Sequence, residues 1–248
     1  MPLSNKKNNA TKTVLILGAN ADVAKAAIRL YIRYGHTVIA ASRSTGELNA
    51  FVQREGFANN VMVQYFDATA FDTHQQFYDN LTYKPNIVLY AAGFLKNNEA
   101  AMLDWNSSFQ MMKVHYCGAV SIINIIVADK HNTGLEKIIG LSSLSGVRGR
   151  KSNFIYGSTK SAFTQYLAGL RQYLSERNIQ VNVIVAGYIR SKMTAGLNLP
   201  ESLMLEPSFI AKAIVHTPKR FIIVPGFKWK IVYLILKILP EKLVARLP

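Results

Sequence analysis

The sequence predicts an α/β fold: a single Rossmann-like, doubly wound parallel sheet of about seven strands with helices on both faces. Three observations lead there. Short apolar, β-branched runs alternate with longer stretches of helical pattern along most of the 248 residues. The runs are apolar almost without interruption, as strands covered on both faces must be. A glycine turn stands between the first run and the first long helical stretch.

The strand candidates, in order, are Thr13–Leu17, Thr37–Ala41, Val61–Phe66, Asn86–Tyr90, Lys137–Leu141, Gln180–Val185 and Phe221–Val224. Helical patterns fill the gaps at Ala21–Tyr34, Gly46–Glu55, Thr69–Leu81, Asp104–Asp129, Phe154–Ser175 and Pro207–His216. Seven strands suit one domain rather than two, and no linker, internal repeat or low-complexity segment interrupts them. Residues 1–12 form a polar leader rich in Asn and Lys, expected to be mobile and without the apolar segment of a secretory signal. Residues 13–226 are expected to make one α/β domain, and 227–248 a basic apolar tail.

Half of the residues are apolar, which excludes disorder as the main state. A single cysteine, Cys117, excludes a disulfide framework and fits a reducing, cytoplasmic compartment; it reads as a small buried apolar residue. No Cys/His cluster has metal-ligand spacing, so no metal is expected. The net charge of +15 admits three partners: nucleic acid, an anionic membrane surface or phosphorylated ligands. No helix-turn-helix, zinc-finger or RNA-binding signature accompanies the charge, so nucleic acid is not expected. The tail, F-K-W-K-I-V-Y-L-I-L-K-I-L-P-E-K-L-V-A-R-L-P, has apolar runs far too short to span a bilayer. Its composition suits a helix lying in the headgroup region, giving a peripheral location on the inner face of the membrane. A dimer-forming or core-covering segment is the other reading.

The candidate chemistry centres on Tyr156-Gly157-Ser158-Thr159-Lys160, with Ser143 thirteen residues upstream. A tyrosine and a lysine four apart on a helix share a face. An ammonium beside a phenol is expected to lower the phenol's pKa, so that Tyr156 can exchange a proton with a carbonyl or alcohol oxygen. Ser143, just beyond a strand, is placed to hold the same oxygen. On the nucleotide side, Gly18-Ala19-Asn20-Ala21-Asp22-Val23-Ala24 would bring a pyrophosphate onto a helix N-terminus. Asp22, repulsive to phosphate, must point away or cap the helix. Arg43, just after the second strand and flanked by Ser42 and Ser44, suits a 2′-phosphate and favours NADP(H) over NAD(H), unless it is an ordinary loop arginine. Asp67-Ala68 and Ala91-Ala92-Gly93 follow the third and fourth strands on the same edge.

Together these motifs resemble the short-chain dehydrogenase/reductase family over about residues 13 to 226, with Ala186-Gly187, Ile189 and Met193-Thr194 resembling its Pro-Gly loop. The resemblance implies NAD(P)-dependent hydride transfer between a carbonyl and a secondary alcohol, with Gly187 and Ile189 near the nicotinamide and Lys160 also holding its ribose. It further implies that His115 stands in for a central-helix asparagine serving a proton-relay water. Tyr90 and Ala91 replace two asparagines of the family's N-N-A-G segment. A narrower likeness, carried by A-N-A-D-V-A and Pro225-Gly226-Phe227-Lys228-Trp229, is to reductases of a polyprenyl-phosphate-linked keto-pentose, where the enzyme is one subunit of a two-enzyme system. Arg148, Arg150 and Lys151, together with Arg190 and Lys192, would then bring cations to the catalytic mouth for a lipid-phosphate-linked sugar. Two rivals remain: a soluble small-ketone reductase acting as a homo-oligomer, and a catalytically impaired nucleotide-binding scaffold.

Overall fold

The computed structural model describes residues 11–246, so the reading of residues 1–10 as a mobile leader lies outside the described residues. The seven strands are β1 (Thr13–Leu17), β2 (Thr37–Ser42), β3 (Val61–Tyr65), β4 (Ile87–Tyr90), β5 (Lys137–Ser143), β6 (Gln180–Ala186) and β7 (Ile222–Ile223). They form one parallel sheet in the order β3-β2-β1-β4-β5-β6-β7. The chain winds outward from β1 on one side and from β4 on the other, so a crevice opens where these two strands end side by side. Leu17 pairs with Tyr90 there, and the turns that follow carry Gly18 and Ala91-Ala92-Gly93.

Strand side chains alternate between two apolar layers. Leu15, Leu17, Val88 and Ile138 pack on one face with Ile122, Ile126, Phe163 and Leu167. Val14, Ile16, Ile87 and Leu89 pack on the other with Ala24, Ile28, Ile210 and Ile214. The helices that cover them are α1 (Asp22–Arg33), α2 (Thr45–Arg54), α3 (His74–Asp79), α4 (Asn98–Leu103), α5 (Trp105–Met112), α6 (Gly118–Ala128), α7 (Phe154–Tyr173), α8 (Pro207–Val215), α9 (Phe227–Ile238) and α10 (Glu241–Val244).

Two expected helices are corrected. The segment expected to be helical over Thr69–Leu81 is a short 3-10 turn at Phe71–Thr73 followed by α3, because Asp67 bonds Thr69 and keeps the chain in a turn. The stretch expected as one helix over Asp104–Asp129 widens to a π turn at Lys113–Cys117, between α5 and α6. At that turn the Tyr90 phenol donates to the carbonyl of Val114. A Cβ on Gly118 would lie 2.1 Å from the carbonyl oxygen of Ala68, so α6 presses its backbone onto the loop after β3. The span Trp105–Ala128 is long and apolar enough to cross a bilayer, yet Ile122, Ile123 and Ile126 are fully buried against the sheet. Cys117, expected to be buried, is half-buried.

The expected tail is fastened to the core along one face of α9. Trp229 and Leu236 of α9 are buried, and the Trp229 indole donates to the carbonyl of Leu203 at 2.9 Å. Arg148 donates to the carbonyls of Leu236 and Leu239, both at 3.0 Å, placing a cation on the helix C-terminus whose carbonyls have no helical partner. Trp229→Ala is expected to lower the unfolding free energy by about 3–5 kcal/mol, read by urea denaturation, whereas Ile238→Ala, on the exposed side of the same helix, should change it by less than about 0.5 kcal/mol.

Candidate active site

A cavity of about 960 Å³ occupies the crevice beyond β1 and β4. Tyr156 and Lys160 enter it from the first turns of α7, and Ser143 from the end of β5. Two glycines bring them together. A Cβ on Gly157 would lie 2.5 Å from the carbonyl of Ser145, and one on Gly146 would lie 2.8 Å from the amide of Ser161. The N-terminal end of α7 therefore lies backbone to backbone against the turn after β5, and Tyr156 comes beside Ser143. Asn98 accepts from the amide of Ile155 at 3.1 Å, fixing the same helix start from the α4 side.

Lys160 is 5 % exposed, donates to the carbonyl of Leu141 at 3.1 Å, and stands over the Tyr156 ring at 5.8 Å from its centroid. The expected depression of the phenol's pKa is corrected. Burial pushes Tyr156 up to about 12, while a hydrogen bond with Ser143 pulls the other way. Burial in turn lowers Lys160 to about 8. The ammonium lies over the ring rather than beside the hydroxyl, and desolvation prevails. Tyr156 is consequently a protonated phenol at neutral pH. The Ser143 hydroxyl accepts from the amide of Ser145 at 3.1 Å and is hydrogen-bonded to Tyr156, so the two hydroxyls stand together on the cavity wall.

His115 is also corrected. Its Nε2 accepts from the amide of Phe94 at 3.0 Å, and its Nδ1 meets the Thr159 hydroxyl at 2.7 Å. Thr159 donates its only proton to the carbonyl of Tyr156, so Nδ1 must be the donor to Thr159. Both ring nitrogens are occupied in the neutral tautomer, and burial with the nearby Lys160 charge holds the pKa well below the usual histidine range. The ring meets Tyr156 edge-on at 5.2 Å. His115 thus positions Tyr156 and has no ring nitrogen left for a relay water.

The nucleotide end of the cavity carries Gly18, Asn20, Asp22, Val23, Arg43, Asp67, Ala68, Ala92 and Gly93, with Gly187 and Ile189 opposite. These residues fit a dinucleotide. Gly18 has φ +86°, and a Cβ there would lie 2.4 Å from the amide nitrogen of Ala92, so only glycine closes the turn against β4. Asn20 donates to Ser42 at 2.9 Å and to the carbonyl of Ser44 at 2.8 Å, while its own buried oxygen has no partner. Asp22 leaves the helix uncapped and accepts from the amide of Lys192 at 2.8 Å, turning its charge to the loop after β6. Asp67 is engaged with Thr69 at 2.8 Å. Gly187 lies under Trp229, whose ring a Cβ would meet at 2.1 Å.

The expected ring of cations is largely dispersed. Arg148 is bound to α9, Arg190 to Glu201 and Glu206, and Lys192 to Glu47. Lys151 is exposed and off the cavity wall. Lys25 and Lys192 hold Glu47 down to about 2. Arg150 and Lys96 do line the cavity and, among the described residues, have no carboxylate within salt-bridge distance. The sequence reading missed Asn98, Asn153 and Tyr188 on this wall; the only available signal was the place of Asn153 just ahead of the helix that carries Tyr156.

Residues 12–202 match the family described as short chain dehydrogenase. The chain belongs to that family. A Mycobacterium tuberculosis protein named an uncharacterized oxidoreductase is 24 % identical over 245 residues, covering 95 % of this chain and 96 % of that one. Carbonyl reductase family member 4 of Danio rerio is 23 % identical over 219 residues, covering 83 % and 90 %. A Burkholderia cenocepacia short chain dehydrogenase, solved in complex with NADP, shares the fold at TM-score 0.79 and 17 % identity over 94 % of this chain and 95 % of its own. The protein is thus an NAD(P)-dependent oxidoreductase of the type that interconverts CH–OH and C=O groups.

Burial of Lys160 in its charged form weakens the fold. Because its folded pKa is about 8 against 10.5 unperturbed, the penalty is present below about pH 8 and fades as pH rises toward 10.5. Lys160→Met, similar in volume, is expected to raise Tm at pH 7 by a few degrees while abolishing turnover, and to remove the gain in stability that the parent shows between pH 8 and pH 10. Thermal scans of both proteins across this range provide the check; a lower Tm for the variant at pH 7 would contradict it.

Proposed function

We propose that the protein is an NADP(H)-dependent reductase that converts a ketone on a phosphate-bearing, lipid-linked sugar to a secondary alcohol. The observation that carries the reading is the buried, protonated Tyr156 phenol beside the Ser143 hydroxyl, facing the cavity that Gly18, Gly93 and Gly187 shape. Bound at Gly18, Asn20, Asp67, Gly93 and Ile189, the nicotinamide cofactor would supply the hydride. Tyr156 gives its proton to the carbonyl oxygen, and Ser143 donates to the same oxygen as negative charge grows on it. Lys160, its ammonium over the Tyr156 ring, would also hold the nicotinamide ribose. His115, through Thr159, holds the helix turn that presents the phenol.

The preference for NADP(H) is supported by Arg43, exposed at the end of β2 beside Ser42 and Ser44 and without a carboxylate partner among the described residues. Glu47, the nearby carboxylate, is neutralised by two lysines. A phosphate on the substrate is supported by Arg150 and Lys96 in the cavity wall, and the lipid-linked sugar by the likeness of the Pro225-Gly226-Phe227-Lys228-Trp229 segment. The subunit reading, in which a separate oxidase forms the ketone, accords with the same likeness.

Tyr156→Phe should lower kcat by about 10²–10⁴-fold with NADPH affinity unchanged by fluorescence titration; undiminished turnover would refute the proton-donor role. Arg43→Asp should raise the KM for NADPH by about tenfold or more and leave that for NADH unchanged or lower. With dihydroxyacetone phosphate and dihydroxyacetone as paired substrates, the phosphorylated ketone should be preferred, and Arg150→Gln should remove the preference. Equal use of both by the parent would favour a small-ketone reductase.

A further inference from the structure

The outer face of α9 is not used by the fold or by the site. Trp229, Val232, Tyr233 and Leu236 turn inward onto the core. Phe227, Ile231, Leu234, Ile235 and Ile238 recur at i, i+4, i+7, i+8 and i+11, which on a 3.6-residue helix is one continuous stripe opposite the buried face. Each is exposed, Phe227 by 76 %, Leu234 by 59 % and Ile238 by 80 %. At 100° per residue, Lys228 borders the stripe on one side and Lys230 and Lys237 border it on the other. Among the described residues, none of these three lysines has a carboxylate partner. Leu243, Lys242 and Arg246 extend the exposed apolar and basic surface through α10.

We propose that this stripe docks on an anionic lipid bilayer, with α9 lying parallel to the surface. The chemistry fits that occupant closely. A bilayer interface takes up an unbroken apolar stripe to a shallow depth, while lysines along its border reach lipid phosphates; Lys230 and Lys237 are placed for this, whereas Lys228 donates to the carbonyl of Ser202 at 3.1 Å. A protein partner matching it would need a line of acidic groups along one side of an apolar groove. Twelve residues make a helix of about 18 Å, too short to cross the hydrocarbon core, so the contact is peripheral. The helix is already folded and fastened by Trp229 and Arg148, so docking requires no ordering of a free tail. This docking stands apart from the reaction chemistry and does not rest on the proposed substrate.

The test is cosedimentation of the full chain, saturated with NADP, with vesicles of phosphatidylcholine alone or mixed with phosphatidylglycerol. The parent should bind the mixed vesicles strongly and the neutral ones weakly, with binding reduced by salt. The double variant Lys230→Gln/Lys237→Gln should lose about 30-fold in partitioning, taking about 1 kcal/mol for each lysine near the surface. Leu234→Glu/Ile238→Glu should lose binding to both vesicles. Both variants alter exposed residues, so circular dichroism and NADPH affinity should match the parent. Absence of vesicle binding by the parent, or equal binding by the variants, would overturn the proposal. So would a parent dimer that the Leu234→Glu/Ile238→Glu change splits, because the stripe would then be a contact between copies.

Discussion

The site depends on a buried ammonium without a counter-ion. Lys160 touches the carbonyl of Leu141 and the face of the Tyr156 ring, and no carboxylate among the described residues lies within salt-bridge distance. A buried cation so poorly compensated is an expense to the fold. Its neighbours are arranged around it: His115 is held neutral, and the nearest polar groups are carbonyls and hydroxyls. What the pocket lacks at rest is one negative charge. Tyr156 nevertheless stays a neutral phenol beside the cation, because the ammonium lies over the ring and burial outweighs its pull on the hydroxyl.

The positions of these groups are set by backbone contact more than by side-chain pairing. Gly18 against Ala92 closes the crevice at the strand ends, Gly146 and Gly157 seat the start of α7 on the turn after β5, and Gly187 lies under Trp229. Each contact permits no methyl group in its place. Such contacts are stiff because interiors are close-packed, so the phenol and the serine hydroxyl share one place without a long side-chain network to hold them.

Most of the architecture was legible because buried parallel strands are written as near-continuous apolar runs. The strand bounds agree to within one or two residues, and β5 was read short because Ser142 and Ser143 extend it with polar side chains. The grouping of Ser143, Tyr156 and Lys160 was legible from spacing, and the glycine turn from its place after β1. Less visible were effects that need the third dimension. The π turn at Lys113–Cys117 follows from Gly118 meeting Ala68, residues fifty positions apart. The neutral state of His115 follows from burial and from Nε2 accepting the amide of Phe94, and its tautomer from Thr159 having spent its proton on Tyr156. The upward shift at Tyr156 follows from burial, which a Y-x-x-x-K pattern does not encode. Arg148 looked like a residue of the mouth because it lies between Ser143 and Tyr156 in sequence, whereas its guanidinium fits the open end of α9.

The charge excess takes on meaning only when its distribution is considered. With 29 basic and 14 acidic side chains, the acids are too few to pair the cations. Several acids are committed to clamps, Glu47 between Lys25 and Lys192 and Glu201 with Glu206 on Arg190, which fasten the loop after β6 and contribute little else at the surface. The cations left over include Arg43 and Arg150 at the two ends of the cavity and the lysines that border the outer stripe of α9. Excess positive charge opposes compaction, and distributed evenly it would only raise solubility. Here it lies beside the cavity and beside exposed apolar surface. The same helix whose outer face carries those lysines bears inward, through Trp229, on Gly187 and Tyr188 in the cavity wall.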